Sequence, residues 1–186
     1  FVNFAKVEKS RKFQILDLII PQERKVRSIV GGLEASLGTT LWEPLIKALA
    51  GKNNFIVHTE KLDAPLHMPV ALANILEAII VDRENERGTY DANKSRDEIK
   101  KTCQTFIQNP IEQFQSPPSG TGVDVWIEKD GINYLFDSKT VQPNLAGLQG
   151  YLRQVLTWYA YFYAKFPGAE VQARIFFPYN PSKNQG

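Results

Sequence analysis

Hydrophobic residues along this chain recur first at helical spacing and then at strand spacing. After Pro21, the residues Val26, Ile29, Val30, Leu33 and Leu37 fall three and four apart, which predicts a helix with one core face, ended by Gly38. Thr40 to Glu43 has the Ser/Thr-x-x-Glu form of a capping box and opens a second helix through Leu45, Ile46 and Leu49 to Gly51. A turn at Lys52–Asn54 leads into the short apolar piece Phe55–Val57. Pro69 starts a third helix with Val70, Ala73, Leu76 and Ile80 inward, fading into DRENERG, a charged surface loop. A fourth helix runs from about Ser95 to Gln108 and stops before Pro110, and QSPPSGT at 115–121 is a breaker-rich loop.

The period then changes to two. Val123 to Glu128 alternates, Lys129-Asp130-Gly131 turns, and Ile132 to Lys139 alternates again, which is the clearest hairpin signal in the chain. After Pro143 a long helix spans about Asn144 to Phe166, stopped by Pro167-Gly168, and a last strand covers Val171–Phe177. The order of elements predicts an α/β fold: a mixed central β-sheet, holding the 123–139 hairpin and the 171–177 strand, flanked by helices. One domain over 1–186 is expected, with a helical N-terminal part at about 1–115, the hairpin region at 122–140, and a helix and strand at 144–178.

Composition adds exclusions more than assignments. With 186 residues, 43% apolar and 23% charged, the chain can bury one sizeable core. No apolar run approaches the length of a membrane span, and FVNFAKVEKSRKF lacks the apolar stretch of a secretory signal, so the expectation is a soluble, cytoplasmic protein away from membranes. Cys103 is the only cysteine, which excludes an internal disulfide and leaves a small buried side chain as its plain role. The net charge of +2 does not announce a nucleic-acid binder, since the basic residues in KVEKSRK, QERKVR and SRDEIKK are interleaved with acids.

The hairpin is where chemistry concentrates. Asp-Gly favours a two-residue turn because both central positions need positive φ. If Asp130 and Gly131 are those two residues, Asp124 stands opposite Asp137, Trp126 opposite Leu135 and Glu128 opposite Asn133, with Lys139 on the same face; a three-residue loop with a bulge would shift the pairing. The other face, with Val123, Val125, Ile127, Tyr134, Phe136 and Ser138, is a core surface apart from the serine. Opposed carboxylates have Cβ atoms about 5 Å apart and repel, unless a hard divalent cation takes both. A lysine beside them can orient or help deprotonate an attacking water and steady charge on a phosphate. By itself the same pattern also describes a solvated hairpin face with an Asp–Lys pair.

The segment GVDVWIEKDGINYLFDSKT, residues 122–140, resembles the catalytic hairpin of the PD-(D/E)XK nuclease superfamily. The resemblance implies a restriction-endonuclease-like fold in which Asp124 and Asp137 bind the metal, Mg²⁺, Lys139 assists the attacking water, and the Ser138 carbonyl is an extra ligand. The second acid is Asp where Glu is commoner, and Ser138 stands where an apolar residue is usual; neither removes a required group. The flanks, KTVQPN at 139–144 and GLEASLGTTLWEPL at 32–45, are similar to a type II restriction endonuclease of the TdeIII kind. Such an enzyme hydrolyses double-stranded DNA at a short specific site, and cutting a palindrome on both strands implies a homodimer.

Nucleases of this family often add an acid from an N-terminal helix. Glu34, beside the stripe of Val30, Leu33 and Leu37, is the candidate; Glu43 suits the capping box better, and Glu77 is a weaker contender. Gln142 and Asn144 can reach the DNA backbone or a base edge, although a helix N-cap is the plainer role for Asn144. Arg153, with Gln149 on the same helix face, can contact phosphate or simply face solvent. His58 and His67 have no metal-ligand spacing and read as structural, and the aromatic run from Trp158 to Tyr163 reads as core plus a subunit contact.

Two rival readings stay open from sequence. A repair or recombination nuclease of the same superfamily would carry Gln-x-x-x-Tyr after the lysine, whereas Gln154 is followed four residues later by Trp158, with Tyr159 one further on. A non-catalytic DNA-binding module that kept the fold would have no physical reason to keep two opposed carboxylates.

Overall fold

The structure is a computed structural model that describes residues 22, 26, 29, 31–33, 36–85, 91–139 and 143–177. Its organising element is a four-stranded sheet in the order β1-β4-β5-β6, made from β1 (Ile56–Val57), β4 (Val125–Lys129), β5 (Ile132–Ser138) and β6 (Glu170–Phe176). The first three strands are antiparallel to one another in that order, and β6 runs parallel to β5. A parallel neighbour needs a crossover, and the helix between β5 and β6 supplies it. The sheet is therefore mixed, as the alternation of periods predicts. Two further strands, β2 (Ala64–Pro65) and β3 (Phe114–Gln115), form a separate antiparallel pair too short to be read from sequence.

Among the described residues four α-helices flank the sheet: α1 (Glu43–Lys52), α2 (Val70–Glu84), α3 (Ala92–Gln104) and α4 (Leu145–Lys165). Asp91 caps α3 by accepting from the backbone N–H groups of Asn93 and Lys94. Asn144 caps α4 in the same way, through Gly147 N–H at 2.9 Å. The larger core joins Leu72, Leu76, Ile79 and Ile80 of α2, Ile99 and Cys103 of α3, and Leu156, Trp158 and Phe162 of α4 to Trp126 and Leu135 of the hairpin. The opposite face of the hairpin, with Val125, Ile127, Tyr134 and Phe136, packs on Ile46 and Ala50 of α1 in a smaller cluster. Both faces of the hairpin are thus covered.

The N-terminal helices depart from expectation. Gly38 does not end a helix: Gly38–Trp42 is a π-helical turn that runs straight into α1. The capping box is absent too, because the Thr40 hydroxyl donates back to the Ser36 carbonyl at 2.6 Å and Glu43 pairs with Lys47. Val26, Ile29 and Leu33, predicted to face a core, are 61%, 50% and 59% exposed, and Leu45 and Leu49 are exposed as well. Helical spacing shows that an apolar stripe exists but not what covers it. Val70 is exposed also, and α2 continues through Asp82, Arg83 and Glu84, which were expected in a loop. None of the described helices is long and apolar enough to cross a membrane.

Candidate active site

The hairpin turn has the geometry its sequence asks for. Asp130 and Gly131 have φ of 53° and 76°, both in the left-handed region. The register follows: Val125 pairs with Phe136, Trp126 with Leu135 and Glu128 with Asn133. One step beyond the paired residues, Asp124 N–H donates to the Phe136 carbonyl at 3.1 Å, and its carboxyl comes within hydrogen-bond reach of Asp137. Alternation puts Asp137 on the face that bears Trp126 and Leu135, but it breaks before β4: Asp124 is a bend, and Val123, expected on the other face, packs on the larger core, so both acids reach one cleft at the rim of that core.

Burial and donors make the two acids unequal. Asp137 is 3% exposed, and its Oδ2 receives Lys139 Nζ at 2.5 Å and Gln154 Nε2 at 3.0 Å. Its Oδ1 is buried with no hydrogen-bond partner. Asp124 is exposed as a residue, yet its carboxyl is drawn into the cleft and its pKa is pushed up to about 7. Burial is the largest cause, followed by the hydrogen bond and charge of Asp137 and the charge of Glu43, while Lys139 pulls the other way.

These groups line a cleft of about 510 Å³ whose walls are the loop from His58 to Leu62 and the loop from Ser116 to Gly122. The second loop is tethered to α4, since Trp158 Nε1 donates to the Thr121 carbonyl at 2.8 Å. A divalent cation fits the donor set. The bare Oδ1 of Asp137 is a buried anionic oxygen in need of a positive partner, and Asp124 offers a second carboxylate beside it. Carbonyls two residues apart on a strand point the same way, so the Ser138 carbonyl follows that of Phe136 toward the Asp124 side. Among the described residues no cluster of three or more His, Cys, Asp or Glu side chains gathers as a metal centre. Two carboxylates and a carbonyl still suit Mg²⁺, which keeps several of its waters.

The other residues singled out by sequence scatter. Glu34 and Gln142 lie outside the described residues. Asn144 spends its side-chain oxygen on the α4 cap. Arg153 is held bidentately by Glu84, with Nε–Oε1 at 2.6 Å and Nη2–Oε2 at 2.9 Å, and lies 3.6 Å from Glu77, so both partners are on α2 rather than in the cleft. Arg153 holds the Glu84 carboxyl below its usual range. His58 stacks on Trp126 with ring centroids 4.2 Å apart and bonds Glu60 at 3.0 Å, a packing role at the cleft wall. Cys103 is buried and its thiol is pushed up to about 12, which leaves it inert.

Sequence reasoning missed one neighbour of the acids and ranked another too low. Gln154, weighed only for its spacing to Trp158, touches Asp137. Its signal was available: positions 154, 158 and 162 form one helical stripe, and Trp158 and Phe162 are fully buried, so a polar residue continues a core line. Glu43, placed behind Glu34 as the helix acid because it suits a capping box, lines the cleft and acts on Asp124.

Comparison with known proteins finds one family, described as "Type II restriction endonuclease, HinfI", whose model matches residues 1–185. No curated protein and no solved structure matches the chain.

Proposed function

Because the chain belongs to the HinfI family of type II restriction endonucleases, and is therefore an endodeoxyribonuclease acting on double-stranded DNA, we propose that Asp124, Asp137 and Lys139 are the residues with which it cuts. The single observation that carries this reading is the buried Asp137 oxygen left without a donor beside a second carboxyl and a lysine. Asp124 and Asp137, with the Ser138 carbonyl, would hold Mg²⁺. The ion, when bound, supplies Lewis-acid polarisation and positive charge for the scissile phosphate. Lys139, with Nζ 2.5 Å from Asp137 Oδ2, holds the attacking water by hydrogen bond and offsets negative charge on the phosphoryl oxygens. Water adds to phosphorus and one bridging P–O bond breaks, leaving a phosphate on one fragment and a hydroxyl on the other.

A helix acid joins this group. Glu34 keeps its candidacy, and Glu43 has the stronger support because it lines the cleft and raises Asp124. Gln142 remains a candidate for DNA contact. Arg153 would have to exchange Glu84 and Glu77 for phosphate before touching DNA. The narrower TdeIII-type resemblance rests only on the flanks 32–45 and 139–144, and the chemistry does not depend on it.

The remaining parts of the proposal are a short recognition site, action on DNA in the cytoplasm, and a homodimer that matches a palindrome with its own twofold axis. Sedimentation should return twice the chain mass of 21.1 kDa. Digestion of a plasmid of known sequence tests the reading. Discrete fragments should appear with Mg²⁺ and vanish with EDTA. Lys139→Ala should bind DNA and leave it intact. A smear, or cutting by Lys139→Ala, would refute it.

A further inference from the structure

The Asp137 carboxylate is gripped on one oxygen only. Lys139 and Gln154 both donate to Oδ2, and Oδ1 receives nothing although it is buried. A carboxylate free to turn about its terminal torsion would share two donors between two oxygens. Two donors on one atom instead fix the rotation of the group and leave a defined oxygen open. The two donors differ in how firmly they are placed. Lys139 follows the end of β5, its side chain is 29% exposed, and it is the group required at the water. Gln154 projects from α4 one turn before Trp158, whose ring is fully buried and whose indole N–H is bonded to Thr121. Its backbone is anchored by the core.

We propose that Gln154 is the positioning residue for Asp137: its amide N–H₂ holds Oδ2, so that Oδ1 is presented to the divalent cation and Lys139 is released from holding the carboxylate alone. The inference rests on the two-carboxylate cation site proposed above and adds an outer contact that orients one of its ligands. Contacts of this kind tune metal affinity by about 10–100-fold when removed. They act on the ligand rather than on the reacting atoms.

Gln154→Met keeps the length and bulk of the side chain and removes the donor. Mn²⁺ binding, titrated by calorimetry on the whole chain without DNA, should weaken by about 10–100-fold in this variant. The Mn²⁺ concentration that half-saturates cleavage should rise by the same factor, with kcat at saturating metal within a few-fold of the parent. A merely structural role would lower kcat and leave the half-saturating metal concentration where it was, and that result overturns the inference. So does parental Mn²⁺ affinity in Gln154→Met, or in Gln154→Leu should the methionine variant not fold. Asp124→Asn separates the two levels of the argument. If the parent binds no Mn²⁺, or Asp124→Asn binds it as the parent does, the cation site itself fails and the role of Gln154 fails with it; if Asp124→Asn loses binding and Gln154→Met does not, only the role of Gln154 fails.

Discussion

Asp124 faces the carboxylates of Asp137 and Glu43 from a partly desolvated position, whereas Asp137 keeps Lys139 and Gln154 on one oxygen. Identical side chains therefore stand in unlike surroundings. Asp124, pushed up to about 7, stays protonated in the folded, metal-free protein at pH values where the unfolded chain has lost that proton. Between about pH 4, the ordinary aspartate range, and pH 7, the folded state binds more protons than the unfolded one. Stability then falls as pH rises through that window and levels off above it. Asp124→Asn removes the titrating group, so in EDTA the variant should gain on the parent from pH 5 to pH 8, read by urea unfolding. A constant difference across that range would show that Asp124 is not perturbed. Added Mg²⁺ should reverse the ranking at pH 8, because only the parent offers the ion two carboxylates.

At the scale of elements, the hairpin was legible because everything that defines it is local. Alternation gave the strands, Asp130-Gly131 gave the turn, and the turn gave the register from Lys129–Ile132 to Val125–Phe136, with Asp124 one step beyond the last pair. The turn conformation has a measurable cost if disturbed. A Cβ on Gly131 would meet no atom within 4 Å, so Gly131→Ala costs only the strain of φ +76°, about 1–2 kcal/mol. Urea unfolding checks this, and a loss of a few tenths would mean that the turn relaxes freely. Gln154 was not legible, and Glu43 was ranked behind Glu34, because each reaches the acids across a helix–sheet contact whose rotational phase no spacing rule supplies. The N-terminal helix failed for a related reason. Its Val26, Ile29 and Leu33 do keep helical spacing, but this chain builds its core from α2, α3 and α4 against the sheet and leaves those residues exposed. Thr40 and Glu43 fit a capping-box pattern, yet the π-helical turn before α1 leaves no free helix start to cap.

For the whole molecule, the fold places the site where three supports meet. The hairpin carries the two acids and the lysine, α4 packs beneath them and reaches Asp137 through Gln154, and α1 covers the opposite face while bringing Glu43 to the cleft. Membership of the HinfI family of type II restriction endonucleases says what the molecule does to DNA; the proposal above assigns that chemistry to the hairpin. The central claim is that the bare oxygen of Asp137 and the carboxylate of Asp124 take one divalent ion between them. Anomalous scattering from a crystal of the whole chain soaked in Mn²⁺ tests it without relying on activity. The account predicts a peak bridging the side chains of Asp124 and Asp137, in contact with Oδ1 of Asp137. A well-occupied peak elsewhere in the chain, with none between these two residues, would contradict it.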